Sequence, residues 1–213
     1  MQNWRAVVRL RRKMKYTGWP ILRILTKEEY RSTPWENGRG LTSDILLLPE
    51  GATRQDFDIR VSIAPIVADA PFSSFPGIDR HITLFHGGEL ELTFPTRSLR
   101  LMPMRPLCFD NGEPPTAHLV EGPVQVFNVS TRRGRFSPSV VVLNKNAEIA
   151  IGENEMGIIF ASTGTWFASL GRATRVLESG ATAIVSQPGK LELIPSAEAT
   201  AICARLTRCL TPS

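Results

Sequence analysis

Thirteen short runs of apolar and β-branched residues recur along the chain, each cut off by glycine, proline, asparagine or aspartate: 45–48, 57–63, 82–85, 90–94, 118–120, 124–129, 140–143, 149–151, 157–161, 165–170, 181–185, 191–194 and 199–206. Runs this short, with turn residues at nearly every boundary, cannot carry helices; they predict an all-β sandwich or barrel. Helix signals are scarce, the clearest being the capping-box pattern Thr26-Lys-Glu-Glu29, which predicts a turn or two that Pro34 ends.

One internal echo bears on the architecture. Gly88-Glu-Leu-Glu-Leu-Thr-Phe-Pro95 and Gly189-Lys-Leu-Glu-Leu-Ile-Pro195 each place leucines on one face of a strand and charged residues on the other. They lie about a hundred residues apart, the mark expected of two tandem barrels joined between about 115 and 140. A chain of 213 residues is long enough to bury a sizeable core without disulfide staples. Its three cysteines, Cys108, Cys203 and Cys209, show no paired metal-type spacing and read as reduced thiols, which favours a cytoplasmic compartment.

The formal charge of +5 and the pI near 9.5 invite a nucleic-acid hypothesis, which the distribution of charge removes. Eight of the 25 basic residues fall within residues 1–27, with no acid before Glu28, leaving 17 bases against 20 acids in the remainder. A mildly acidic body offers no concentrated basic surface for phosphates and no interleaved stacking aromatics. Residues 1–13 read as a disordered basic extension, with Met14 as the functional start. The sequence contains no uninterrupted apolar run long enough for a signal-peptide core or a membrane span.

Period-two alternation gathers polar side chains onto single strand faces. Arg80 shares a face with Ile82 and Leu84; Asp58, Arg60 and Ser62 share one opposite Phe57, Ile59, Val61 and Ile63; Asn128, Ser130 and Arg132 line up together. Taken strand by strand, such faces meet solvent. Turned inward together, they line a polar cavity, and planar guanidinium donors suit a carboxylate through paired hydrogen bonds. Three loops add candidates, 34–40, 72–80 and 128–134, and in the first of them Trp35 can wall a pocket.

Metal chemistry has little to work with, because the only histidines are His81, His86 and His118. The first two lie five residues apart, about 16 Å along a strand and on opposite faces, too far for one ion unless the Phe85-His-Gly-Gly-Glu89 turn breaks the strand. No metal and no cofactor are expected. Nucleophile-elbow, phosphate-loop and dinucleotide signatures are absent from the sequence.

The loops carry a specific resemblance. Pro34-Trp35-x-Asn37-Gly38-x-Gly40-x-Thr42, then Arg60-Val-Ser62-Ile-Ala64, then Ala70-Pro-Phe-Ser73 running to Phe75-Pro-Gly-x-Asp-Arg80, then Glu121-Gly-Pro123 with Phe127-Asn-Val-x-Thr-Arg-Arg-Gly134 resemble the ordered motif set of the HutD/Ves family, over about 21–205. The resemblance implies a bicupin: two tandem cupin-like β-barrels with very little helix, here 14–125 and 126–213. It also implies a non-enzymatic role in histidine utilisation, sensing or buffering an anionic metabolite such as urocanate or a formylglutamate-like compound. On this reading Arg60, Arg80 and Arg132 are the anion partners, Asn37, Ser62 and Asn128 orient the ligand, and Trp35 supplies an apolar wall.

Two departures matter. Glu36 stands where the family commonly has lysine, reversing a charge near the expected site, and Ser130 stands where methionine is common, enlarging and polarising that spot. Two alternatives stay open: a metal-dependent cupin enzyme acting on such a metabolite, and a stress-associated interaction module with no ligand. Neither nucleic acid nor membrane is an expected partner, and pairing of sheet edges or faces allows a homodimer.

Overall fold

The computed structural model describes residues 22–34 and 41–209. Nineteen strands fill them in chain order: β1 (Leu22–Leu25), β2 (Arg31–Pro34), β3 (Leu41–Leu48), β4 (Ile59–Ile66), β5 (Ala70–Pro71), β6 (Ile78–His86), β7 (Leu90–Thr93), β8 (Ser98–Leu101), β9 (Leu107–Asp110), β10 (Thr116–Leu119), β11 (Val124–Arg132), β12 (Phe136–Leu143), β13 (Ala147–Ile151), β14 (Glu155–Thr163), β15 (Trp166–Leu170), β16 (Ala173–Leu177), β17 (Thr182–Val185), β18 (Gly189–Pro195) and β19 (Thr200–Arg208). The one helical element among the described residues is a single 3-10 turn, Lys27–Glu29, where the Thr26 backbone N–H donates to the Glu29 carboxylate at 2.9 Å.

The strands form four sheets: a six-stranded one in the order β2-β3-β4-β11-β6-β9, a five-stranded one in the order β1-β17-β14-β19-β12, and two four-stranded ones, β5-β10-β7-β8 and β13-β18-β15-β16. The two halves of the chain repeat one wiring. β4, β11, β6 and β9 stand to one another as β12, β19, β14 and β17 do, and β5-β10-β7-β8 recurs as β13-β18-β15-β16. The echo in the sequence does not fall on equivalent strands, however. Gly88–Pro95 covers β7, whose counterpart in the second half is β15, whereas Gly189–Pro195 is β18, the counterpart of β10.

Alternation explains how three cores arise from these sheets. On β4 and β11, Ile59, Val61, Phe127 and Val129 point to one side and pack against Ile158, Phe160, Ile202 and Ala204 of the five-stranded sheet. The Phe127 and Phe160 rings stack there at 5.2 Å, and Phe85 meets Phe160 edge-on at 5.0 Å. The opposite side of the six-stranded sheet packs Ile82, Leu84 and Val126 onto Leu90, Leu92, Leu101 and Ala117 of its four-stranded neighbour. A third core, with Ile159, Trp166, Leu177, Leu193 and Cys203, fills the equivalent space in the second half. Each such aliphatic or aromatic side chain contributes about 1.5–3 kcal/mol when fully buried, so these cores dominate the stabilisation.

Sheet membership changes between Arg132 and Phe136, so β11, which begins at Val124, belongs wholly with β4 and β6 rather than with the strands after it. β1 joins the second half, pairing Leu22 with Val185 of β17, and the Tyr30 hydroxyl donates to the Gly180 carbonyl at 2.8 Å just beyond. The turn after β6 needs glycine at 87: its φ is +94°, and a Cβ would come within 2.6 Å of the Pro123 carbonyl oxygen. Cys108, Cys203 and Cys209 are all free thiols. No helix among the described residues is long and apolar enough to cross a membrane.

Candidate functional site

Pairing across β4, β11 and β6 sets the polar residues in rows. Ser130 of β11 lies opposite Arg60 on one side and Arg80 on the other. In the next row Asn128 lies between Ser62 and Ile82, and Asp44 of β3 lies beyond Ser62. Adjacent strands run roughly 4.8 Å apart, so the Arg60 and Arg80 backbones flank Ser130 across about 10 Å. All of these residues face away from the core that joins the two halves. Ser62, Asn128, Ser130 and Asp44 are buried, and the Arg60 side chain is 12% exposed.

The charges in this group do not balance. Asp44 accepts from the Arg60 Nε at 2.8 Å with Oδ1 and from the Arg54 Nε at 2.8 Å with Oδ2, while Arg54 also donates to the Thr42 carbonyl at 3.1 Å. Among the described residues no carboxylate pairs with Arg80. Its guanidinium carbon lies 5.1 Å from the centre of the Phe72 ring and 5.9 Å from that of Phe109. Although the residue as a whole is only half-buried, its Nε is shut off from solvent and makes no hydrogen bond. Burial, with repulsion from Arg60 added, pushes the Arg80 pKa down to about 9. Two ring faces offset some of this desolvation without supplying a counter-charge. Asn128 is also incomplete: its carboxamide oxygen is buried and unpartnered. Buried donors and acceptors are ordinarily satisfied, and Arg80 Nε and Asn128 Oδ1, two of the seven unpartnered buried atoms among the described residues, lie on adjacent rows of this face, where a ligand or water can complete them.

The loop before β6 holds the Phe72 ring over Arg80, and Asn111 fixes that loop. Fully buried, Asn111 donates from Nδ2 to the Ser73 carbonyl at 3.0 Å and accepts from the Phe75 backbone N–H at 2.8 Å.

Of the residues expected from the sequence, Arg60, Ser62, Arg80 and Asn128 come together. The guanidinium of Arg132 is engaged elsewhere: it donates to Asp58 at 2.9 Å, Asp56 at 2.6 Å and the Phe57 carbonyl at 2.8 Å. With Arg135 also on Asp58, these residues line a cleft of about 450 Å³ that none of the other four reaches, and the charge of both arginines is already matched there. Trp35 and Asn37, like Glu36, lie outside the described residues. Asp44, Arg54, Ser130 and Asn111 complete the arrangement. Of these, only Ser130 stood out in the sequence, on the polar face it shares with Asn128 and as a departure from the family motif.

The three histidines are separated. His118 pairs with Asp69 at 2.9 Å, His86 ends β6 at the surface, and His81 faces away from Arg80 with its Nδ1 buried and unpartnered. Among the described residues no three His, Cys, Asp or Glu side chains are grouped as metal ligands would be. The arrangement therefore offers cationic and hydrogen-bonding groups for an anion.

Residues 27–203 match the HutD family. Protein Ves of Escherichia fergusonii is 33% identical over 149 residues, covering 69% of this chain and 75% of that one. HutD from Pseudomonas fluorescens SBW25, solved in a formate condition, superposes with a TM-score of 0.74 at 21% identity, covering 88% of this chain and 98% of that one. A cupin 2 conserved barrel domain protein from Leptotrichia buccalis superposes with a TM-score of 0.56 at 9% identity, covering 89% and 98%. The fold is thus cupin-like and, with nearly its whole described length matched, the chain belongs to the HutD family.

Proposed function

We propose that this chain is a regulatory, ligand-binding protein of the cytoplasm, built as two tandem cupin-like barrels, whose first barrel holds a small anionic metabolite of histidine utilisation between Arg60 and Arg80. Urocanate and formylated glutamate derivatives are the leading ligands. The observation that carries this reading is Arg80, a desolvated guanidinium with no carboxylate partner among the described residues, standing across Ser130 from Arg60. Holding an uncompensated charge out of water is unfavourable unless a ligand completes it. The repeated strand order supports the two-barrel architecture, with the change of barrel in 133–135. Ser62 and Asn128 orient the ligand, and Trp35 and Asn37, which lie outside the described residues, keep the roles of apolar wall and hydrogen-bonder that the family resemblance implies.

Thermal shift of the full chain with urocanate, N-formyl-L-glutamate and formate tests this. At 100 times its dissociation constant a ligand stabilises the folded state by about 2.7 kcal/mol, raising Tm by a few degrees. Arg80→Ala should abolish the shift, and a shift that survives this substitution removes the site from consideration. Consumption of the ligand during incubation would replace the sensing role with an enzymatic one.

A further inference from the structure

Resting on the anion-binding reading above, we infer that the site is built for a dianion of the dicarboxylate class rather than for a single carboxylate. Among the described residues three guanidinium groups, Arg54, Arg60 and Arg80, share this space with one carboxylate, Asp44. Asp44 spends both oxygens on the Nε atoms of Arg54 and Arg60. Among the described residues Arg80 has no carboxylate and its Nε no hydrogen bond, and Arg60 meets Asp44 through its Nε. A monoanion leaves one buried positive charge uncompensated, whereas a second carboxylate balances the group, and in a poorly solvated site that difference is large compared with its value in water.

The placement suits two anionic ends. Arg60 and Arg80 project from strands on opposite sides of β11. Between them, one row away and about 7 Å along β11, the Asn128 carboxamide oxygen is buried and unpartnered, an acceptor for an N–H or O–H carried between the two carboxylates of such a ligand. The excess charge is not a property of the fold. On the equivalent strands of the second half, β14 and β19, Glu155 stands 3.8 Å from Arg205 and accepts from the Thr207 hydroxyl at 2.9 Å, so the charge there is matched.

Calorimetric titration of the full chain at low ionic strength, with malonate, succinate, glutarate and adipate each set against its own monoamide, separates charge from length. The best-fitting diacid should bind about tenfold or more tightly than its monoamide. Arg60→Gln should erase most of that preference while the protein still melts cooperatively, and Arg80→Met should remove binding of both compounds. Equal binding of diacid and monoamide, lost in Arg80→Met, overturns the dianion assignment and leaves the anion site standing. A preference unchanged in Arg60→Gln also overturns it. If no carboxylate of either charge binds the folded protein, the anion site falls as well.

Discussion

Asp44 Oδ1 lies 2.8 Å from the Nε of Arg60, with the carboxylate 7% exposed and the guanidinium 12%. The other oxygen of the same carboxylate holds Arg54, so one buried anion organises two cations.

Asp44→Ala should therefore destabilise the chain by roughly 2–4 kcal/mol, at or below the range for breaking a buried pair because Arg54 stays a quarter exposed. Urea unfolding measures this. A loss below about 0.5 kcal/mol would place the pair among those that contribute nothing.

Arg80→Met should have the opposite sign. Its guanidinium is desolvated against Phe72 and Phe109 with no counter-charge among the described residues, so an apolar chain of similar length should leave stability unchanged or raise it by about 1 kcal/mol while anion binding disappears. A clear fall in Tm in ligand-free buffer would mean that the two rings hold Arg80 more strongly than argued.

His81 sets a pH dependence. Burial lowers its pKa in the folded chain, with Asp79 opposing the shift in part, and its Nδ1 has no partner. The unfolded chain takes up this proton first, near pH 6.5, so folding stability is complete above that value and falls as pH drops below it. His81→Gln should flatten the stability profile between about pH 5 and 6.5. An identical slope in the variant would assign the dependence to other groups.

Asn111→Ala should cost about 1 kcal/mol, because the fully buried Asn111 side chain loses its hydrogen bond to the carbonyl of the exposed Ser73. The loop carrying Phe72 loosens with it, so anion affinity should drop although Asn111 touches none of the arginines. Calorimetry of Asn111→Ala against Phe72→Ala compares the two effects. Unchanged affinity in both would show that the ring over Arg80 is immaterial to binding.

All thirteen runs read from the sequence fall on strands. The six strands not read, β1, β2, β5, β8, β9 and β16, all lie at sheet edges. Edge strands are buried on little of their surface, so nothing obliges them to carry an apolar pattern; β16 leaves Thr174, Arg175 and Val176 exposed. The alternation on β4, β6 and β11 was legible because each of these strands is covered on both faces by different material, apolar on one side and mixed on the other. Asp44 was hidden by a bulge between Asp44 and Leu46, which turns Ile45 and Leu46 into the same core and breaks the period of two. Arg54 sits in a turn, where spacing says nothing about reach. Arg132 was aligned correctly on its strand face, but its partners Asp56 and Asp58 lie far away in sequence.

The seam between β1 and β17 also bears on how the chain is made. The first described strand leaves the ribosome early, yet the backbone groups it must meet on β17 are translated almost a whole chain later. At usual elongation rates that is a wait of roughly ten to thirty seconds. During it, the strands from β2 to β11 already have all their partners in the nascent chain and can assemble, while β1 trails unpaired until β17 is made.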